Sequence, residues 1–337
     1  MDEAALLKLA GDLCGRAGLA APVTLERLAG GKNNRVFCVA LGDGSSVVLK
    51  SYFHDPRDTR DRLEAEWSFL NHAWSVGVHN VPRPLAADQR EHAGLYSLLD
   101  GSKLASSEVE LRHVDAASNF IYAINRAASP LVRAMNPASE SCLSISQHLA
   151  TVDRRIERLT ALAADAPYRD EAEQLISQNL KPVWVDVRSR IVAGAFKAGV
   201  VLDQAVGRTI ISPSDFGFHN ALIRPDGELQ FLDFEYAGFD DPAKLVGDFY
   251  ACPEIPTPQE TFERFVDRLA LLLEFPDAFR DRARLLRDAY RVKWACIILN
   301  DFLPSEDARR AFAGGEERAA RCAAQLRKAE AKIAEIV

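Results

Sequence analysis

The sequence predicts an α+β protein in which a smaller, strand-rich part is followed by a larger helical part. Short apolar runs separated by turn residues dominate the first hundred positions, and such runs are typical of strands. From about residue 104 onward, apolar residues recur at helical spacing, which indicates amphipathic helices. A hairpin with a polar end interrupts the helices near residue 220. We therefore expect two lobes, residues 1–100 with a small mixed sheet and residues 101–337 mainly helical.

The composition describes a globular protein and limits its partners. The 337 residues include 41 Lys and Arg against 48 Asp and Glu, a net charge of −7. This balance argues against a general nucleic-acid binder, which usually presents a basic face. The six cysteines contain no Cys-x-x-Cys pair, which favours reduced thiols in the cytoplasm. The acidic start is unlike a secretory leader, and no apolar run approaches the ~20 residues of a membrane span. The sequence gives no oligomeric state.

The first elements are a helix and two strands. Residues 3–14 carry a helical stripe of apolar side chains, and strands are predicted at Thr24–Ala29 and Arg35–Leu41. Gly30 and Gly31 lie between these strands. Glycines at this place would let backbone N–H groups approach a nucleotide phosphate, or they form a plain hairpin turn. The segment lacks the spacing of a P-loop.

A lysine and a glutamate are predicted to pair in the first lobe. Lys50 lies near the end of the apolar strand Ser46–Tyr52, and a helix over about 57–75 carries Glu66 within its apolar stripe. Glu64 is two residues away, about 200° round the helix, and is expected on the solvent side. A carboxylate that faces the core needs a partner, because an unpaired buried charge is costly. We therefore expect Glu66 to fix Lys50, although a lysine at a strand end could simply reach solvent.

The chain then passes from strands to helices. Gly94–Leu99 is predicted to be a strand, and the turn from Leu99 to Gly101 breaks the pattern. Helices are expected over about 104–200. The segment 235–254 is acidic and aromatic, so it could receive a cationic or hydroxyl-rich substrate. It could equally form a solvated loop in which Asp248 is a structural tether of the loop that carries Asp215. Three further helices are predicted at 259–273, 277–303 and 305–335.

The stretch 212–235 predicts a hairpin with oxygen ligands at its open end. Asp226-Gly227 lies between two apolar runs and is a strong signal for a two-residue turn. Such a turn would place Asn220 opposite Asp233, with Cβ atoms roughly 4.5–5.5 Å apart. Asp215 precedes Asn220 by five residues. Carboxylate and amide oxygens suit Mg²⁺ and its bound phosphates, and an ordinary turn rich in Asp and Asn is the alternative.

The order of these residues carries a resemblance to a known family. Asp-x-x-x-x-Asn, an apolar strand and then Asp-Phe-Glu resembles the aminoglycoside phosphotransferase and choline kinase group of the protein-kinase-like superfamily. The resemblance implies a two-lobed fold with ATP and Mg²⁺ between the lobes. It also implies that Asp215 accepts the proton of the attacking hydroxyl, while Asn220 and Asp233 hold the metal.

The same resemblance extends to the first lobe. It implies that Lys50, fixed by Glu66, contacts the phosphates of the nucleotide. Gly30 and Gly31 occupy the place of the glycine-containing loop over those phosphates. The break near Leu99 and Gly101 corresponds to the connection whose backbone meets the adenine. These residues appear in the family's order over most of the chain.

The catalytic loop departs from the family at two positions. Pro213 stands two residues before Asp215, where the family usually has His, and Gly217 stands two after it, where His is again usual. A histidine occurs instead at His219, beside the predicted metal ligand. We expect the loop to be rebuilt around Ser212, Ser214 and His219.

The function expected from the resemblance is transfer of the γ-phosphate of ATP to a hydroxyl of a small molecule. An amino-alcohol, an aminoglycoside or a sugar would suit the acidic chain. A nucleotide-binding protein with weak or no catalysis is the first alternative, because the loop around Pro213 and Gly217 is altered. An unrelated fold with a chance motif is the second, and it would leave Glu66 exposed and far from Lys50.

Overall fold

The computed structural model of the chain describes residues 3–28, 34–54, 60–127, 135–304 and 318–336. Its first lobe is a five-stranded sheet of order β1-β2-β3-β5-β4 with two helices. Every pairing in this sheet is antiparallel, so the prediction of a mixed sheet is wrong. The elements are α1 (Glu3–Ala17), β1 (Pro22–Arg27), β2 (Arg35–Leu41), β3 (Ser46–Ser51), α2 (Arg62–Ser75), β4 (Pro84–Asp88) and β5 (Ala93–Ser97).

The two faces of the sheet have different partners because side chains alternate along each strand. Val47 and Leu49 of β3 point to the face that packs against α1. Lys50 and Tyr52 point to the opposite face, where their polar atoms reach α2. Helix α2 begins after Asp61, whose side chain accepts a hydrogen bond of 2.9 Å from the backbone of the helix's first turn and caps it.

The second lobe is mainly helical, as predicted. Long helices form its core, and the helix Pro276–Ile298 contacts five other helices among the described residues. The helices are α3 (Leu111–Arg126), α4 (Ile145–Arg158), α5 (Arg169–Leu175), α6 (Lys181–Lys197), α7 (Pro242–Ala251), α8 (Phe262–Ala270), α9 (Pro276–Ile298) and α10 (Arg318–Ala334), with a π-helical turn at Ile176–Leu180 joining α5 to α6. None of the described helices combines the length and the apolar character that crossing a bilayer requires.

Short strands in the second lobe carry the loops of the candidate site. They are β6 (Ser102–Lys103), β7 (Ile210–Ser212), β8 (Ala221–Ile223), β9 (Leu229–Phe231) and β10 (Gly238–Asp240). Strands β6, β8 and β9 form one antiparallel sheet, and β7 pairs with β10. Because β6 follows directly from the first lobe and pairs with β8, the connection between the lobes lies against the hairpin.

A row of phenylalanines joins the two lobes. Phe69 of α2 stacks on Phe234, which follows β9, with ring centroids 4.2 Å apart. Both rings also contact Phe120 of α3. The row continues into the second lobe through Phe216, Phe231, Phe249 and Phe265. Helix α2, which carries Glu66, is therefore packed on the core that supports the hairpin.

Candidate active site

The structure brings Lys50 and Glu66 into contact and adds a third partner. Lys50 Nζ lies 2.6 Å from Glu66 Oε2 and 2.6 Å from Asp233 Oδ1. The side chains of Lys50 and Glu66 are only 9% and 4% exposed. Glu64, by contrast, is partly exposed and bonds Ser68 of its own helix at 2.6 Å. These contacts exclude the unrelated fold, which required Glu66 to be exposed and far from Lys50.

The surroundings of Lys50 keep it charged. Burial alone would lower the pKa of Lys50, but the carboxylates of Asp233, Glu66 and Glu235 outweigh burial and raise this pKa well above its usual value. Tyr52 donates a hydrogen bond of 2.7 Å to Glu66. Burial raises the pKa of Tyr52, and the Glu66 carboxylate raises it further, so the tyrosine hydroxyl stays protonated.

The predicted hairpin register is wrong by one residue. Ala221 pairs with Phe231, and the backbone N–H of Leu232 donates to the carbonyl of Asn220 at 3.0 Å. Asn220 is thus opposite Leu232, not Asp233. The turn has three residues between Arg224 and Glu228 instead of two, and Gly227 has φ +86°. A three-residue loop commonly ends in such a left-handed glycine, which forms a bulge and shifts the register.

Asn220 still connects the loop of Asp215 with the strand end before Asp233. Its Nδ2 donates to the backbone carbonyl of Asp215 at 3.0 Å, while its own carbonyl accepts from Leu232. Asp233 itself has φ +68°, an uncommon conformation for a non-glycine residue. This turn of the backbone brings its carboxylate to Lys50 despite the changed register.

The donors at this site fit a Mg²⁺ ion. Because Nδ2 of Asn220 is occupied by the Asp215 carbonyl, its Oδ1 is the atom left to bind a cation. Asp233 supplies a carboxylate that is 29% exposed. Over the described ranges no three His, Cys, Asp or Glu side chains gather as a metal site. Mg²⁺ typically uses one or two protein ligands together with phosphate oxygens and water, so an Asn and an Asp are a sufficient protein contribution.

The loop that presents Asp215 is held by serines, as expected from the altered sequence. Ser214 has φ +67°, and its N–H donates to Ser212 Oγ at 3.1 Å. The Ser214 hydroxyl donates to the Ser139 carbonyl at 3.4 Å and accepts from buried Lys244 Nζ at 3.3 Å. The loop is therefore anchored to β7 on one side and to α7 on the other.

His219 lies beside Asp215. Its Nε2 is 3.4 Å from Asp215 Oδ1, and its Nδ1 is 3.5 Å from Cys252 Sγ. Burial alone would lower the pKa of His219, but the hydrogen bonds to Asp215 and Cys252 raise it above its usual value. The Asp215 carboxylate therefore favours the protonated form of the imidazole that it faces.

The remaining predicted nucleotide contacts are only partly described. Gly30 and Gly31 lie outside the described residues. Leu99 is half-buried and lies two residues after the end of β5. Gly101 has φ +136°, and a Cβ there would come within 2.8 Å of the Ile223 carbonyl oxygen of β8. Glycine is thus required where the connection between the lobes passes the hairpin.

Most of the segment 235–254 is buried, so it is not a solvated loop, and helix α7 within it offers no surface to a substrate. All ten residues of α7 are buried. Lys244 lies 2.6 Å from Asp240. Asp248 accepts from Lys293 Nζ at 2.9 Å and from Trp294 Nε1 at 3.0 Å. Asp248 is a tether as predicted, but it ties α7 to α9 and not to the catalytic loop. These carboxylates are neutralised by the protein's own cations.

Three residues of the site were missed from the sequence. Tyr52 is two positions after Lys50, and the period of two along a strand could have placed it on the same face. Asn34, immediately before β2, donates to Glu235 through Nδ2 and accepts from the backbone N–H of Phe53 at 3.2 Å. Cys252 lies 33 residues after His219, and no local pattern indicates that contact.

The architecture described above, a small antiparallel sheet with a buried Lys–Glu pair over a helical lobe, defines a protein-kinase-like phosphotransferase. A sequence model of the phosphotransferase enzyme family matches residues 24–276. The chain belongs to this family and is a small-molecule phosphotransferase. By sequence it matches no curated protein.

Solved structures share the fold at low sequence identity. A spectinomycin phosphotransferase in complex with ADP and spectinomycin has a TM-score of 0.62 at 11% identity, covering 100% of this chain and 99% of that one. The choline kinase of Cryptosporidium parvum Iowa II has a TM-score of 0.59 at 12% identity, covering 99% and 97%. The macrolide 2'-phosphotransferase of Brachybacterium faecium has a TM-score of 0.57 at 16% identity, covering 92% and 99%.

Proposed function

We propose that this enzyme transfers the γ-phosphoryl group of ATP, with Mg²⁺, to a hydroxyl group of a small molecule. The observation that carries the proposal is the position of Lys50, whose ammonium touches Glu66 of the first lobe and Asp233 of the second at 2.6 Å each. The ammonium of Lys50, which is the proposed phosphate-binding group, therefore lies in contact with Asp233, the predicted metal ligand. The boundary of the two lobes near residue 100 and a cytoplasmic location belong to the same proposal.

The proposed roles follow from the chemistry of the side chains. Asn220 and Asp233 would hold Mg²⁺, which neutralises charge on the phosphates when bound. Lys50, kept charged and fixed by Glu66, binds the phosphate oxygens. Asp215 orients the acceptor hydroxyl and takes its proton. The acceptor oxygen forms a bond to the γ-phosphorus, while the bond from that phosphorus to the β–γ bridging oxygen breaks and ADP leaves. Positioning and charge stabilisation supply most of the rate in such a site.

The acceptor class is open between amino-alcohols, aminoglycosides and sugars. The structural neighbours are described as acting on spectinomycin, choline and macrolides, which supports a small hydroxyl-bearing acceptor. The buried carboxylates of 240–248 remove the earlier reason to prefer a cationic one. A screen of acceptors should therefore include neutral sugars as well as amines.

The proposal is tested first by nucleotide binding. ATP with Mg²⁺ should raise the melting temperature of the wild-type protein by about 2–4 °C at saturating concentration, because a ligand that binds only the folded state stabilises it. Asp233→Ala should abolish the part of this shift that depends on Mg²⁺. Asp226→Ala, in the exposed hairpin turn, is the matched control and should keep the full shift.

Asp215→Asn should keep the Mg²⁺-dependent shift of the wild type but lose phosphoryl transfer, measured as ADP release in the presence of the acceptor panel. Normal turnover by Asp215→Asn would contradict the role of the base. A shift with ATP but no ADP release from wild type with any acceptor would favour the nucleotide-binding protein without catalysis. The absence of any shift would reject the nucleotide site itself.

A further inference from the structure

The imidazole ring of His219 lies between the side chains of Asp215 and Cys252, a position that we call its seat. It lies on the short helical turn Phe218–Asn220, with Nε2 at 3.4 Å from Asp215 Oδ1 and Nδ1 at 3.5 Å from Cys252 Sγ. The side chain of His219 is 19% exposed, and Cys252 is 1% exposed. The imidazole is thus fixed between a buried thiol and the carboxylate of the proposed base.

The seat of His219 requires a glycine at position 217 because a larger residue would lack space there, and not because of the backbone conformation of Gly217. Its φ is −179°, an extended conformation that any residue adopts. A Cβ at this position, however, would lie 2.7 Å from His219 Nδ1 and 2.9 Å from its Cε1. The histidine ring therefore fills the volume that a side chain at position 217 would take. Gly217 and His219 therefore form one packing unit.

We propose that His219 is a positioning residue, seated by Gly217 and Cys252, that holds one carboxylate oxygen of Asp215 and leaves the other for the acceptor hydroxyl. This inference rests on the proposed function of Asp215 as the base. The side chain of Asp215 is 36% exposed. If it contacted solvent and not His219, its carboxylate would be free to rotate. In phosphoryl transfer a displacement of about 1 Å at the reacting groups can cost roughly a hundredfold in rate.

The kinetic test uses ADP release from MgATP by the full-length protein, with water as the acceptor and then with the acceptor panel. His219→Ala should lower kcat about 10- to 100-fold and change the KM for MgATP less than about twofold, because the metal and phosphate ligands remain. Gly217→Ala should lower kcat similarly, since its Cβ displaces the ring. The double variant should be no slower than His219→Ala alone, because coupled residues are not additive. His219→Gln, which can still donate to Asp215, should recover part of the rate.

A stability cycle tests the seat without any activity. When His219 is present, Gly217→Ala should lower the melting temperature, because the new Cβ would clash with the His219 ring. In the His219→Ala background the same change should leave the melting temperature unchanged or raise it, because alanine restricts the unfolded chain more than glycine. An equal decrease in both backgrounds would overturn the proposed packing unit.

The outcomes separate this inference from the proposed function. If Asp215→Asn abolishes ADP release while His219→Ala leaves kcat unchanged, the positioning role is wrong and the base remains. Multiplicative losses in the double variant, or a KM that rises in parallel with the fall in kcat, would also overturn it. If Asp215→Asn releases ADP at the wild-type rate, or if wild type releases none, the proposed function fails and the positioning role falls with it.

Discussion

Lys50 is held by two carboxylates that come from different lobes. The side chain of Lys50 is 9% exposed, so its ammonium has lost most of its hydration. The charge is tolerated because Glu66 and Asp233 lie at 2.6 Å. Glu66 in turn accepts from Tyr52. Removing Glu66 therefore takes away one of the two carboxylates that hold Lys50, which keeps Asp233. It also removes one partner of the Tyr52 hydroxyl, which still contacts the Tyr96 hydroxyl at 2.7 Å.

Glu66→Ala should lower the free energy of unfolding by about 3 kcal/mol, the lower end of the cost of breaking a buried ion pair. It should also weaken MgATP binding, since Lys50 is no longer fixed. Glu64→Ala, two positions earlier on the partly exposed side of α2, should change stability by less than about 1 kcal/mol. Urea unfolding of the two variants measures the difference. Equal losses would contradict the assignment of Glu66 as the buried partner.

At the scale of elements, α7 and α9 are joined through charge inside the core. Asp248 of α7 is bonded by Lys293 and Trp294 of α9, and both charged side chains are less than 8% exposed. Among the elements that the structure describes, these two helices share the most extensive contact. The interface is therefore specified by a buried ion pair in addition to apolar packing.

Asp248→Ala should lower the free energy of unfolding by about 3–5 kcal/mol, because it leaves the Lys293 ammonium buried without a carboxylate at hydrogen-bonding distance. The double variant Asp248→Leu/Lys293→Met should recover most of that loss, since apolar residues of similar size can replace a buried pair. Chemical denaturation provides the measurement. A double variant less stable than Asp248→Ala would show that the pair is needed for more than charge compensation.

At the scale of the whole molecule, ion pairs connect distant segments and make stability depend on acid pH. Glu140, before α4, pairs with Arg155. Burial alone would raise the pKa of Glu140, but Arg155, Lys293 and Lys244 lower it from 4.5 to about 2. In the fully buried Asp241, burial likewise opposes ionisation, while His148 and Arg282 lower the pKa. The folded protein thus holds these carboxylates ionised more strongly than the unfolded chain does.

Because the folded pKa of Glu140 is the lower one, its contribution is complete above about pH 4.5 and is lost as the pH falls toward 2. Glu140→Gln should therefore be less stable than wild type by about 1–2 kcal/mol at pH 7, a value reduced for partial solvent screening. The difference should vanish near pH 2. Melting temperatures across this range give the comparison, and a difference that stays constant with pH would contradict the proposed ionisation.

The sequence by itself determined the features that depend on neighbours along the chain. The period of two along β3 and of 3.6 along α2 places Lys50 and Glu66 on facing surfaces, because the direction of a side chain is set by local backbone geometry. Asp215, Asn220 and Asp233 are likewise close in the chain, because one loop and one hairpin carry all three. The two-lobed class and the contact of Lys50 with Glu66 could therefore be predicted.

Only the tertiary structure decided the features that depend on residues distant in the chain. A single residue more in the hairpin loop shifts the register of Asn220, since the two turn types share the Asp-Gly signal. The acidic segment at 240–248 can be buried because cations on α4 and α9 pair with its carboxylates. These cations are His148, Arg282 and Lys293. His219 reaches its seat because Cys252 and the absent side chain of Gly217 leave room. Close packing sets these contacts, and it is fixed only when all the elements assemble.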